Sequence, residues 1–238
     1  MPLLGYVKWQ KFYEVIKKGE TACKLSGQPI SNHFLPAPVK STGGRPQNNY
    51  FLTRFACYLI AQNGDPRKPE IAIAQSYFAT QTRKQELSQQ INNENRRLEA
   101  RSKLKETETK IESTVYTRGI KYPVEFATFK NKHIQALYGG LSINQLKESR
   151  KIPQNRSLAD FDTQIELKAK DFALAMTDHN IHQKNLYGKP ALNAEVVKNS
   201  QVTRKALLSR GIQPENLPSE EDIKQIESRR KTLIPLQK

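Results

Sequence analysis

Only two cysteines, Cys23 and Cys57, occur in 238 residues. They form neither a metal-binding nor a redox spacing. Both stand in apolar, helix-forming surroundings, so each is expected to pack as a small hydrophobe in a reducing compartment. No apolar run approaches the ~20 residues of a membrane span, and no signal-peptide pattern opens the chain, so a soluble cytoplasmic protein is expected. Catalytic fingerprints are also missing. There is no Ser-His-Asp grouping, P-loop or dinucleotide motif, and Gly43-Gly44 lacks the Gly-Lys-Ser/Thr and helix entry of a phosphate loop. No catalytic residue, metal or cofactor is therefore assigned, and the chain reads as a binder rather than an enzyme. Acidic residues are scarce too: 23 Asp and Glu face 39 Lys and Arg, a net charge of +16. The excess extends over the whole chain, which suits a polyanion gripped along its backbone, nucleic acid before acidic protein or anionic membrane. A hydrophobic content of 37% and a mean hydropathy of −0.71 predict a modest core, or one split between two small domains.

What is present reads as an α+β chain, mostly α: a small N-terminal helix/β-hairpin/helix module, a long helical arm and a C-terminal helical domain. The spacing of Trp9, Phe12, Tyr13 and Ile16 predicts a helix over 8–24, with a candidate interruption at Gly19 and a stop at Gly27 and Pro29. Residues 33–40, with Pro36 and Pro38, read as an extended or edge strand leading to a 43–49 tip, and 49–52 as the returning strand. Thr53 caps a second helix that buries Phe55, Ala56, Leu59 and Ile60 and stops at Gly64.

Neither Gly nor Pro occurs from Glu70 to Arg118, and helix formers dominate. Ile71, Ala74, Gln75 and Phe78 share the buried face of its first part, flanked by Ile73 and Tyr77. Beyond Arg83 the stripe thins to Leu87, Ile91, Leu98, Leu104 and Ile111, too narrow a seam for a core, so an arm pairing with itself or with a second subunit is expected. Further helices are expected around Phe126–Tyr138, after Ser142, along a face of Phe161, Ile165, Phe172 and Met176, and over 193–209 with Val196, Val197, Val202 and Leu207. The resulting division is 1–66, 67–118, 123–212 and a charged loop, helix or frayed tail over 213–238.

Basic residues supply the candidate site. Arg45 lies at the Gly-rich tip, Lys40 on the strand into it and Arg54 in the turn after Thr53; Lys11, Lys17 and Lys18 project from the first helix, and Arg67, Lys68, Arg83 and Lys84 continue the charge. A guanidinium on a tip held by packed elements is suited to entering a nucleic-acid groove, while the lysines suit sequence-blind phosphate contacts. Two acidic groupings compete with this reading. Asp160, Asp162, Glu166 and Lys168 resemble a metal-dependent nuclease set, but on a helix rather than strands. Asp178, His179 and His182 put three possible metal ligands within two turns without a further strong ligand. Both read better as structure, as do His33 and His133.

The run from Leu52 to Glu86, LTRFACYLIAQNGDPRKPEIAIAQSYFATQTRKQE, resembles the DNA damage-inducible protein D (DinD) family, and so do Leu3–Gly27, Phe126–Ser142 and Pro214–Glu227. The likeness covers nearly the whole chain, and its first part is also similar to a Bro-N domain, the DNA-binding module of viral Bro proteins and phage antirepressors. The resemblance implies a non-enzymatic, nucleoid-associated DNA-binding protein of the SOS response, acting on duplex or single-stranded DNA or on RecA–DNA filaments, with a homodimer expected. The alternative it implies is a transcriptional regulator of antirepressor type. Bro-N modules usually place strands before the first helix, whereas this chain opens at Leu3-Leu4-Gly5. It is expected either to lack part of that module or to begin it differently.

Overall fold

The computed structural model describes residues 1–37 and 49–233. It divides into two units, Met1–Gln89 and Gln90–Lys238, each with a core of its own. In the first, helix α1 (Trp9–Leu25) is followed by the short α2 (Ile30–His33), strands β1 (Phe34–Pro36) and β2 (Tyr50–Leu52), and α3 (Arg54–Gln62). The strands pair antiparallel with Phe34 opposite Leu52 and Pro36 opposite Tyr50. Proline can sit in this two-stranded ribbon because a missing N–H costs nothing at an edge. His33 ends a helical turn instead of starting the strand.

Helix α1 runs through Gly19 without a break. A Cβ there would stand 3.4 Å from Phe34 Cζ and 3.5 Å from Ile60 Cγ1, so the bare glycine lets hairpin and α3 close onto the helix. That proximity compensates for a residue that costs a helix about 1 kcal/mol relative to alanine. Phe12, Val15, Ile16, Cys23, Phe34, Ala56, Ile60 and Ile71 form the first core, each large side chain adding roughly 1.5–3 kcal/mol by burial. Thr53 caps α3 as predicted, its Oγ1 accepting from the Ala56 N–H at 3.3 Å. Cys23 is buried, but Cys57 is exposed. Cys57 lies one residue after the buried Ala56 and so falls on the solvent side of α3, which corrects its expected packing role.

Helix α4 (Pro69–Thr117) spans 49 residues. Its start packs in the first unit through Ile71, while Ile73 and Tyr77 are exposed. The second half departs from the expected arm. Ala100, Leu104, Ile111 and Val115 lie in the hydrophobic core of the second unit, and even Arg97 is buried. A narrow stripe suffices there because polar neighbours are also satisfied inside: Arg97 donates to the carbonyls of Asp162 and Asp160 at 2.9 and 2.7 Å. Leu87 and Ile91 remain exposed.

The rest of that unit is α5 (Pro123–Leu137), α6 (Ile143–Ser149), α7 (Gln164–Gln183), α8 (Lys189–Leu208) and α9 (Ile223–Leu233). Gly139 and Gly140 end α5 with φ of +66° and +98°, and Ser142 and Gln145 form a capping box on α6. The predicted face of α7 is wrong. Phe161 precedes the helix and Ile165 and Phe172 are exposed, whereas Leu167, Ala173, Leu174 and Ile181 are buried beside Glu166, Lys170, Thr177 and Asp178. On α8, Val196 is buried but Val202 is exposed. Residues 223–231 are not frayed: Ile223 and Ile226 are buried, and Arg229 meets Glu94 at 2.8 Å. Among the described residues no helix is long and apolar enough to cross a membrane.

Candidate nucleic-acid interface

An open groove of about 690 Å³ lies in the first unit between α1 and the turn joining α3 to α4. Lys8, Lys11 and Lys18 line it from α1 and its N-cap, and Arg67 and Lys68 from the turn. Their spacing explains the convergence: Lys11 and Lys18 are seven residues apart, two helical turns, and so share a face that Lys8 begins. Tyr6 and Val15 close the floor, and Glu14 and Asp65 are the acidic residues of the lining.

The turn is built tightly. Gly64 is required because a Cβ there would meet Ile71 Cδ1 at 2.5 Å. The Asp65 N–H donates to Tyr6 Oη at 3.0 Å. Asp65 Oδ1 accepts from the Arg67 N–H and Nε, and Oδ2 accepts from Arg67 Nη2, all within 3.1 Å. Arg67 beside it holds the Asp65 carboxyl down to about 2. Lys68 Nζ donates to the Gly5 carbonyl at 2.7 Å and lies 4.9 Å from the Tyr6 ring centre, which fixes one cation at the groove wall. Lys11 is within 3.3 Å of Glu14. Lys8 and Lys18 are exposed and have no side-chain partner among the described residues. The groove therefore offers two uncommitted ammonium groups beside three cations held by the fold.

Of the sequence-predicted contacts, Lys11, Lys18, Arg67 and Lys68 come together here. Lys17 does not line the groove. It is paired with Glu20 at 2.7 Å and lies 5.2 Å from the Tyr13 ring centre, and Glu20 holds its pKa above the usual lysine range. Arg54 is exposed at the start of α3, Arg83 pairs with Glu86 at 3.2 Å, and Lys84 is exposed on α4; none of these lines the groove. Lys40 and Arg45 lie outside the described residues. Lys8 was missed, although it stands three residues before Lys11 and thus on the same side of the helix.

The acidic groupings are engaged in holding the second unit together. Arg150 reaches Asp162 Oδ1 at 3.1 Å and Glu166 Oε1 at 2.6 Å, and Lys170 pairs with Asp162 Oδ2. Tyr138 Oη donates to Glu166 Oε1 at 3.0 Å, and burial pushes its phenol well above the usual tyrosine range. Burial likewise raises the Asp162 carboxyl against the pull of Lys170 and Arg150. Asp160 is paired with Arg101 and Arg156, both at 2.9 Å, and Lys168 is exposed. Asp178 accepts from Lys110 at 2.8 Å and Thr114 at 2.6 Å, while His182 Nδ1 donates to the Asp178 carbonyl at 2.8 Å. Among the described residues no group of three or more His, Cys, Asp or Glu is placed to hold a metal ion.

Comparison with known proteins follows the same division. Residues 1–79 match the BRO family, N-terminal domain, and residues 91–226 the DinD C-terminal domain. Over 237 residues the chain is 32% identical to the DNA damage-inducible protein D of Escherichia coli (strain K12), a match spanning 95% of this chain and 86% of that protein. With its two units matched in order and almost its whole length aligned, the chain belongs to the DNA damage-inducible protein D family.

Proposed function

We propose that this protein is a non-enzymatic DNA-binding protein of the DNA-damage response, and that the groove beside α1 grips the phosphate backbone. The observation that carries this reading is the meeting of Lys8, Lys11, Lys18, Arg67 and Lys68 around one open groove on a chain of net charge +16. Ammonium groups without carboxylate partners exchange condensed counterions for phosphate, which yields affinity that is strong at low salt and largely blind to sequence. The match to the BRO family N-terminal domain over the residues that form the groove supports the same reading. Engagement of Asp160, Asp162 and Glu166 by arginine and lysine favours binding over metal-dependent hydrolysis. Action on RecA–DNA filaments is part of the same proposal. Self-association would use the exposed Ile73, Tyr77 and Leu87 of α4.

Anisotropy titrations of the full chain with a labelled duplex and a matching single strand, over a range of salt, test this. Affinity should fall linearly in log–log form, and Lys11→Glu with Lys18→Glu should weaken it at least tenfold and flatten the slope by about 2. Binding that is absent at low salt, or insensitive to salt, would sink the proposal, and unchanged binding by the double variant would move the contact surface elsewhere. Excess random DNA separates a regulator, which keeps its operator, from the sequence-blind binder proposed here.

A further inference from the structure

The second unit contains a cavity of about 480 Å³ that the DNA reading does not use. Its wall is apolar, with Ile111, Phe126, Phe129, Ile134, Ile143 and Leu174 contributing from α4, α5, α6 and α7. Arg101, Lys105, Lys130, Lys147 and Lys170 also line it, with the carboxylates Glu108 and Glu112. Four of these cations are committed: Arg101 to Asp160 at 2.9 Å, Lys130 to Glu112 at 2.5 Å, Lys147 to the Gln154 carbonyl at 2.9 Å and Lys170 to Asp162. Lys105 is exposed and has no side-chain partner among the described residues.

A buried histidine is also part of the lining. The Ser200 hydroxyl donates to the Val196 carbonyl at 2.6 Å, so at 2.8 Å its oxygen must accept from His133 Nδ1–H. The proton is thereby assigned to Nδ1, and Nε2 of the neutral ring is an acceptor. This Nε2 is buried and has no hydrogen-bond partner. Burial, with repulsion from Lys170, holds His133 down to about 3, so the ring stays neutral.

We propose that this cavity binds a small amphipathic organic anion, with a flat apolar body against Phe126 and Phe129 and its anionic end at Lys105. A volume within the range of small-molecule sites, an aromatic wall and one uncommitted cation define that chemistry. The site is independent of the groove in the first unit.

The probes are 8-anilinonaphthalene-1-sulfonate, which has an aromatic body, an N–H and a sulfonate, and N-phenyl-1-naphthylamine, which lacks only the sulfonate. Fluorescence and calorimetric titration of the full chain should give one saturable sulfonate site, at least tenfold tighter than the neutral dye. Lys105→Glu should weaken the sulfonate at least tenfold and leave the neutral dye unchanged, while Thr109→Trp, at an exposed position of the lining, should block both. Circular dichroism of both surface variants establishes that the fold persists. Absence of binding, equal affinity for the two dyes, or many sites insensitive to either substitution would overturn the proposal.

Discussion

The two units hold their charges differently. In the first, aromatic and aliphatic side chains form the core, and the lysines and arginines stay outside, some of them in short-range pairs such as Lys11–Glu14 and Arg83–Glu86. In the second, Arg97, Asp162, Glu166 and Lys170 are themselves buried, and Arg150 bridges Asp162 to Glu166. Surface pairs of the first kind contribute about 0–1 kcal/mol, so their cations can exchange a carboxylate for a phosphate at little cost. Those of the second kind cannot be withdrawn without leaving a charge stranded in the interior. Charge stays at the surface in the first unit, whereas in the second part of it is buried and consumed by the fold.

This contrast can be broken by substitution, and a single tryptophan, Trp9, helps because it reports on the first unit alone. The largest effect is expected from Arg150→Ala, which removes the arginine shared by two buried carboxylates, Asp162 and Glu166, and should cost about 3–5 kcal/mol. Denaturant unfolding followed by circular dichroism should show the loss, while the Trp9 fluorescence transition stays in place; a shift of both would mean that the units do not unfold separately. Next comes pH. His133 is held to about 3 when folded and titrates near 6.5 when unfolded, so below pH 6.5 the unfolded chain binds a proton that the native one does not. Stability is therefore full above that value and falls as pH drops towards 3, by about 2 kcal/mol between pH 7 and 5. Denaturation of His133→Asn over the same window should give a flatter profile; an unchanged slope would place the proton uptake elsewhere.

Smaller effects sharpen the description of the first unit. Thr53→Ala removes the cap of α3 and should lower its stability by about 1 kcal/mol, read in Trp9 fluorescence. Lys18→Gln should leave stability within about 0.5 kcal/mol and reduce the salt slope of DNA binding by about 0.9. A clear stability loss without a change in slope would show Lys18 to be structural.

Local signals explain which elements were legible. Thr53, Ser142 and Gly139-Gly140 mark helix ends through hydrogen bonds or φ values that neighbouring residues control, and they appear where predicted. The faces of α4 and α7 were misread for one common reason. Hydrophobic periodicity assumes that buried positions are apolar, whereas α7 buries Glu166, Lys170, Thr177 and Asp178 and exposes Ile165 and Phe172. Their partners, Lys110 and Thr114 on α4 and Arg150 and Tyr138 just past the ends of α6 and α5, come from other segments, and no local pattern announces them. The candidate groove was half legible. Lys11 and Lys18 share a helix face by spacing alone, but their meeting with Arg67 and Lys68 depends on the turn after α3 folding back beside α1.

Composition and local pattern alone determined that this is a basic, mostly helical chain with a small hairpin-containing module at its start, because charge, capping and turn chemistry act over a few residues. Tertiary structure decided which cations remain available. Lys68 is held at the Gly5 carbonyl, Lys170 is buried against Asp162, and Lys8 and Lys18 stay open at the groove. Whether a lysine meets a carboxylate or solvent depends on which helices pack together, and that is settled by burial of apolar surface far along the chain.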